Sequence, residues 1–217
     1  MHHHTADHPT TESMWSAPFW DERYGSAQRV WSGNPNPQLV AEAAGLDPGT
    51  ALDAGCGEGA DAHWLARRGW RVTALDVSTV ALQRGAAHAG PDIADRITWQ
   101  QADLRGWAPD GSRYDLVSAQ YMQFPGPLRE AVFANLAAAV APGGTLLLVG
   151  HHPSDMHTSM GRPDEPDLFF TAAQAAAALD RQRWDVVVAA TRPRPAVDPD
   201  GQEITIADAV VRARRRP

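Results

Sequence analysis

The sequence predicts one α/β domain whose central sheet has seven strands, all parallel except one. From residue 50 onward, short apolar runs alternate with stretches of helical periodicity, which is typical of a parallel sheet covered by helices on both faces. The last two apolar runs, 184–192 and 203–215, have no helical stretch between them, so they must pair as an antiparallel hairpin. The chain of 217 residues is long enough for one such domain with a sizeable core.

The elements follow one another in a regular order. Gly69 is placed to end the first helix after residue 50, and Ser78 is placed to cap the start of the second. The prolines at 193–199 predict a long loop between the last two strands. The predicted strands are 50–54, 71–76, 96–103, 114–120, 144–150, 184–192 and 203–215, and the predicted helices are 60–69, 78–89, 128–141 and 171–180.

The chain divides into three parts. Residues 1–13 predict a disordered leader that contains a short histidine run, and residues 46–217 predict the α/β domain. Residues 14–45 predict a helical cap over one end of the sheet, called the aromatic cap because it holds Trp15, Phe19, Trp20, Tyr24 and Trp31.

Composition restricts the partners of this chain. The net charge of -7 argues against a broad nucleic-acid surface, and no apolar run approaches the ~20 residues that span a bilayer. Cys56 is the only cysteine, which excludes an intrachain disulfide and fits a reducing cytoplasm. We therefore expect a cytoplasmic protein, monomeric or homodimeric, whose partner is a small molecule rather than a nucleic acid or a membrane.

The stretch "ALDAGCGEGAD" (51–61) predicts a nucleotide-binding turn between the first strand and its helix. Glycines permit close backbone approach, and ligands of open α/β sheets bind at this edge. Gly55, Gly57 and Ala60 match the dinucleotide pattern G-x-G-x-x-G/A, and Asp76 lies at the distance of its ribose-binding acid.

Three further features favour a different nucleotide. Asp53 precedes the turn and Gly59 extends it, and a carboxylate at this place repels a pyrophosphate but attracts a cation. The third strand ends in "QAD", which brings Asp103 to the same edge as a possible acceptor for an exocyclic amine. The C-terminal hairpin is also unlike the second half of a dinucleotide-binding domain.

These motifs resemble the class I S-adenosylmethionine-dependent methyltransferases over residues 30–217. The similar stretches are "LDAGCGEG", "ALD", "QAD" and "APGGTLLLVG". The resemblance implies a Rossmann-like sheet in the order 3-2-1-4-5-7-6 with strand seven antiparallel. It also implies S-adenosylmethionine as cofactor and S-adenosylhomocysteine as product, bound by Asp53, Gly55, Cys56, Gly57, Gly59, Asp76, Val77, Asp103, Leu104 and Gln120.

The aromatic cap is most similar to that of the small-molecule branch related to tellurite-resistance and thiopurine-type methyltransferases. That resemblance implies that Trp31 packs near the methionine end of the cofactor, with Tyr24 and Trp20 further along toward the substrate. A sulfonium near an aromatic face gains roughly 0.5–2 kcal/mol. The alternative is a purely structural role, in which these aromatic side chains only pack on the domain.

The loops after the fourth and fifth strands, 120–127 and 151–166, predict the acceptor side. Tyr121, His151 and His152 lie there as candidate catalytic and substrate-binding residues. A base is needed only where the acceptor must lose a proton. The histidines with Asp155 and His157 form a weaker candidate for a metal site, since their spacing matches no fixed pattern, and we expect no metal.

The function predicted is methyl transfer to a small-molecule acceptor by in-line displacement. One alternative is an NAD(P)-dependent oxidoreductase, and another is a non-catalytic protein that keeps the cofactor fold. The sequence leaves the acceptor atom open among oxygen, nitrogen, sulfur, halide and metalloid.

Overall fold

The structure is a computed structural model that describes residues 13–217. The predicted leader at 1–13 therefore lies, except for Ser13, outside the described residues. The strands are β1 Thr50–Ala54, β2 Arg71–Asp76, β3 Ile97–Gln101, β4 Tyr114–Gln120, β5 Val140–His151, β6 Trp184–Val197 and β7 Glu203–Arg215. The helices are α1 Ala17–Gly25, α2 Pro37–Ala43, α3 Ala60–Arg67, α4 Thr79–His88, α5 Gly126–Ala138 and α6 Ala172–Ala177.

The sheet has the predicted topology. Its order is β3-β2-β1-β4-β5-β7-β6, and β7 runs antiparallel to both of its neighbours. The strand order is thus confirmed, and it brings the carboxyl ends of β1, β2 and β4 to one edge. The predicted caps are confirmed as well. The Ser78 side chain accepts a hydrogen bond from the backbone N–H of Ala81 at 3.1 Å, and Gly69 follows α3 with a φ of 96°.

The sheet is buried on both faces by two apolar clusters. Leu52 and Val117 belong to one cluster, whereas Leu65 and Trp70 belong to the other. The central strands are therefore nearly continuous apolar runs, as a parallel sheet between helices requires. Among residues 13–217, no helix is long and apolar enough to cross a membrane.

The prediction of a long loop between the last two strands is wrong. β6 continues to Val197, and only residues 198–202 connect it to β7. Pro193 pairs with Ala207 and Pro195 with Thr205. Because β6 is the edge strand, it can hold prolines whose missing N–H groups would point away from the sheet.

Two other strand boundaries also need correction. β5 begins at Val140, so the "APGG" segment lies inside the strand rather than forming a turn before it. β3 ends at Gln101, so Asp103 follows the strand by two residues instead of ending it. The irregular pairing between β4 and β5 at Tyr114 and Leu116 accommodates the early start of β5.

Candidate active site

The turn after β1 depends on its glycines. Gly55, Gly57 and Gly59 have φ angles of 71°, 54° and 79°, in the left-handed region that other residues avoid. The backbone N–H of Cys56 donates to the Leu75 carbonyl at 2.8 Å, which fixes the turn to β2. These residues, 55–59, are called the glycine turn below. Side chains of other segments pack directly against the three glycines, at the places where a Cβ would lie: Met122, Tyr24 and Trp99.

Two buried carboxylates flank the glycine turn. Asp76 accepts hydrogen bonds from the backbone N–H groups of Gly57, at 2.8 Å, and Ser78, at 2.9 Å. Asp53 is buried, and its Oδ2 has no hydrogen-bond partner among the described residues. Burial raises the pKa of both carboxyl groups, and the negative charges of Asp61 and Asp76 raise the pKa of Asp53 further. A cationic donor beside Asp53 would satisfy this oxygen and stabilise its ionised form.

The remaining predicted cofactor residues lie at the same edge but in different environments. Gln120 ends β4, with its Nε2 donating to Ser118 Oγ at 2.9 Å and its buried Oε1 unpaired within residues 13–217. Asp103 is exposed, and both of its carboxylate oxygens accept from the Arg105 side chain. Leu104 is buried in the apolar core beneath, and Val77 is half-buried after β2. The predicted adenine contacts of the last three stay predictions.

The aromatic cap covers the glycine turn. The Tyr24 hydroxyl lies 2.8 Å from the position that a Cβ on Gly57 would occupy, and Trp31 Nε1 lies 3.6 Å from it. Trp31 Nε1 donates to the Tyr24 hydroxyl at 3.0 Å, and the Trp20 ring stacks 5.7 Å from the Tyr24 ring. Tyr24 thus contacts the glycine turn itself, whereas Trp20 lies behind it. Trp31 remains 49% exposed.

Two acidic side chains fasten the cap to the domain. Glu58, in the glycine turn, accepts at Oε2 from the backbone N–H groups of Val30, at 3.1 Å, and Trp31, at 3.4 Å. Asp21 accepts from Ser78 Oγ at 2.6 Å and from the N–H of Val80 at 3.2 Å, at the start of α4. The first contact positions Trp31, and the second positions α1.

We expect Glu58→Gln to loosen the cap. The neutral amide replaces a charged acceptor, and a hydrogen bond to a charged group contributes about 1 kcal/mol more than one to a neutral group. Trypsin should then cleave after the exposed Arg29 about fivefold faster than in the wild type. The matched control is Glu22→Gln, which changes an exposed acid of α1. Equal cleavage rates in all three proteins would contradict this role of Glu58.

A second group of side chains lies at the carboxyl ends of β4 and β5. Tyr121 directly follows β4 with a φ of 56°, and its ring lies 4.7 Å from the ring of His151, the last residue of β5. Met122, the next residue, approaches Gly55 so closely that a Cβ on that glycine would meet its sulfur. This second group, called the rim cluster below, therefore adjoins the glycine turn. It consists of Tyr121, His151, Asp155, Arg162, Arg194 and Asp208.

Asp208 on β7 joins several elements of the rim cluster. It is completely buried, and its Oδ2 accepts from Gln38 Nε2 at 3.0 Å, Tyr121 Oη at 3.1 Å and Arg194 Nε at 2.8 Å. The antiparallel register places Asp208 directly opposite His151. Negative charge on Asp208 and burial both raise the pKa of the Tyr121 hydroxyl, which acts here as a donor.

The surroundings of His151 fix its tautomer. Arg162 Nη2 lies 3.3 Å from His151 Nδ1, and a guanidinium can only donate. Nδ1 is therefore the unprotonated acceptor, and the proton of the neutral ring is on Nε2. Burial, together with the positive charges of Arg162 and Arg194, lowers the pKa of His151 to about 3.

His151 should consequently cause an acid-sensitive contribution to stability. Below the ordinary histidine pKa of 6.5 the unfolded chain binds a proton that the folded protein, with a pKa of about 3, does not bind. The stabilisation is thus complete above that ordinary value and is lost as the pH falls toward the folded value. We expect the wild type to lose about 1.4 kcal/mol more per pH unit than His151→Gln between roughly pH 6 and 4.

Urea unfolding of both proteins across that range measures this difference. Asp155, whose Oδ2 lies 3.7 Å from His151 Nδ1, is present in both proteins, and so are the other buried carboxyl groups. Their titration therefore contributes to both stability curves and is subtracted in the difference. Parallel stability curves would contradict the assignment.

His152 is separated from the rim cluster. Its Nδ1 accepts from the backbone N–H of Ser154 at 3.2 Å and caps the short 3-10 helix Pro153–His157. The adjacent histidines thus have different surroundings, and the catalytic role of His152 stays a prediction. No three His, Cys, Asp or Glu side chains in the described part of the chain are grouped to hold a metal.

Sequence reasoning missed the partners that hold these groups. Asp208 interrupts the apolar run of β7, and an acid in such a run is a signal of a buried ion pair. Arg162 and Arg194 gave no signal, because they lie in proline-rich segments that resemble surface loops. Asp155 was considered only as a metal ligand.

Comparison with known proteins agrees with this geometry. Residues 51–144 match the family model described as a methyltransferase domain. The chain is 30% identical over 128 residues to a 2-heptyl-1-hydroxyquinolin-4(1H)-one methyltransferase of Mycobacteroides abscessus, which covers 57% of this chain and 56% of the relative. It is 32% identical over 155 residues to a trans-aconitate 2-methyltransferase of Streptomyces avermitilis, which covers 67% of this chain and 56% of the relative. The chain thus spans a little over half the length of these curated relatives.

Several solved structures match nearly the whole chain. One of them was solved for the conversion of a disulfide bond into a thioacetal group during echinomycin biosynthesis, and it covers 92% of both chains with a TM-score of 0.69 and 26% identity. Topology, glycine turn and similarity together define a class I methyltransferase fold. The chain thus contains a class I, S-adenosylmethionine-dependent methyltransferase domain.

Proposed function

We propose that this protein transfers the methyl group of S-adenosylmethionine to a small-molecule acceptor. The observation that supports this most is the buried Asp53 oxygen near the glycine turn, which lacks a hydrogen-bond partner among the described residues. The ammonium group of the cofactor's methionine part is the kind of donor that fits it. When bound, the cofactor supplies a methyl group activated by a sulfonium.

The chain's own residues have distinct roles in this proposal. Asp76 binds the ribose hydroxyls, and the glycine turn gives the backbone surface against which the cofactor lies. Tyr24 and Trp31 cover that surface, exclude water and offer aromatic faces to a cation. Val77, Asp103, Leu104 and Gln120 complete the cofactor site, as their places at the same edge permit.

The acceptor side is formed by the rim cluster. Tyr121 and His151 lie next to the glycine turn through Met122, so they are placed to contact an acceptor. Trp20 and His152 lie further away and serve the substrate through the shape of the cap and the loop. The aromatic cap supports the branch that includes tellurite-resistance and thiopurine-type methyltransferases, and names such as trans-aconitate 2-methyltransferase support a small acceptor.

Calorimetric titration with S-adenosylhomocysteine and with NAD tests the cofactor, and turnover of S-adenosylmethionine carrying a labelled methyl group tests the reaction. We expect S-adenosylhomocysteine to bind and NAD not to bind. Binding of NAD alone would support the oxidoreductase. Cofactor binding without label transfer to any small acceptor would support a non-catalytic protein.

We also propose a cytoplasmic protein that is monomeric or homodimeric and that binds no nucleic acid. The single cysteine and the net charge of -7 support these proposals. Cell fractionation tests the location, and light scattering tests the oligomeric state.

A further inference from the structure

The charges of the rim cluster are arranged in two layers. The carboxylate side chains of Asp155 and Asp208 are 1% and 0% exposed, whereas the guanidinium side chains of Arg162 and Arg194 are 17% and 27% exposed. The carboxylates therefore lie beneath the guanidinium groups, which face them. The part of the rim cluster that solvent can reach is positively charged. Such a layer attracts an anionic ligand.

The two guanidinium groups carry more N–H donors than their hydrogen bonds to the protein use. Arg162 Nη2 donates to His151 Nδ1, and its Nε is buried without a hydrogen-bond partner among the described residues, so a ligand would meet the terminal nitrogens rather than Nε. Arg194 Nε donates to Asp208, and the same side chain also interacts with Tyr121. Two N–H groups of one guanidinium match the two oxygens of a carboxylate. His151, protonated on Nε2, adds one more donor at this place.

Within residues 13–217, no side chain of the rim cluster offers an accessible free basic atom, because the two unpaired carboxylate oxygens, Asp155 Oδ2 and Asp208 Oδ1, are buried. His151 Nδ1 already accepts from Arg162, and the Tyr121 hydroxyl already donates to Asp208. Both carboxylates of the cluster are buried beneath the arginines. An acceptor that must lose a proton before attack therefore finds no base here, which favours an acceptor that is already ionised at neutral pH.

We infer that the acceptor is a small di- or tricarboxylic acid, and that Arg162 and Arg194 bind one of its carboxylates while another is methylated. The inference rests on the proposed function. A carboxylate paired with arginine is a weak nucleophile, so the second carboxylate attacks. Its oxygen forms the new C–O bond as the C–S bond breaks, and the sulfur keeps the electron pair. The products are a methyl ester and a neutral thioether, and no proton needs to be removed.

Label transfer from S-adenosylmethionine with a tritiated methyl group tests this inference. One set of acceptors is succinate, citrate and trans-aconitate, and the other is a phenol, a thiol and an amine of similar size. Alkali releases volatile methanol from methyl esters but not from methyl ethers, thioethers or amines. We expect alkali-labile label in the acid set alone.

Arg162→Gln and Arg194→Gln should each lower kcat/KM for the acid by about 30-fold or more, mainly through KM, with S-adenosylhomocysteine affinity within twofold of the wild type. Arg162→Lys and Arg194→Lys keep the charge in a folded protein but lose the paired donors, and they should restore only part of the activity. The control is Arg216→Gln, an exposed arginine paired with Asp185.

The outcomes separate the two proposals. Alkali-stable label in the phenol, thiol or amine, or glutamine variants as active as the control, would overturn the carboxylate acceptor and leave the proposed function standing. No label in any of the six compounds overturns the carboxylate acceptor, and failure to bind S-adenosylhomocysteine overturns the proposed function itself.

Discussion

Asp208→Ala is expected to lower the free energy of unfolding by about 3 kcal/mol. The fully buried carboxylate accepts from Gln38, Tyr121 and Arg194, and each hydrogen bond that is lost costs about 1 kcal/mol. The three donors come from α2, from the residue after β4 and from β6. The substitution therefore removes contacts between elements that are far apart in sequence. Urea unfolding monitored by circular dichroism measures the change.

Two variants give this experiment its controls. Asp185→Ala removes an exposed acid of β6 that pairs with Arg216, and such a pair contributes less than about 1 kcal/mol. Asp208→Asn keeps the size and one acceptor oxygen, so it should fall between the two alanine variants. A loss in Asp208→Ala no larger than that in Asp185→Ala would show that Asp208 does not tie these elements together.

Local patterns were sufficient for most of the fold. The strands β1, β2 and β4 have in the structure the bounds that the sequence predicted, because a buried parallel strand must be apolar throughout. The bounds of the antiparallel β7 also match the prediction. The error at β6 has a physical cause. Pro193 and Pro195 break a central strand but are tolerated in an edge strand, and a single sequence does not show which strand is at the edge.

The sequence predicted the cofactor side of the site more completely than the rim cluster on the acceptor side. The glycine turn, Asp53 and Asp76 are set by short segments at the ends of neighbouring strands, so their proximity follows from topology alone. The rim cluster depends on the register between β5 and β7, which pairs His151 with Asp208 across 57 positions of the chain. Register is set by side-chain packing over the whole sheet, and a motif does not contain that information.

Asp76→Ala is expected to weaken S-adenosylhomocysteine binding by about 1.5–3 kcal/mol, or roughly 10- to 150-fold, because the ribose hydroxyls lose a charged acceptor. Calorimetric titration measures the affinity. The buried Asp76 has a raised pKa, so its carboxylate is lost as the pH falls, and the affinity of the wild type should fall with it. Asp95→Ala, which changes an exposed acid near β3, should bind as the wild type does.

Asp76 also holds the glycine turn, because it accepts from the backbone N–H of Gly57. A loss of affinity in Asp76→Ala can therefore come from the missing ribose contact or from a displaced turn. Asp76→Asn separates the two causes, since its amide oxygen can still accept from Gly57 while the negative charge and the bond from Ser78 are lost. If the ribose contact matters most, the asparagine variant should lose less stability than Asp76→Ala yet still lose at least about tenfold in affinity. Wild-type affinity in a folded Asp76→Ala protein would refute the ribose assignment.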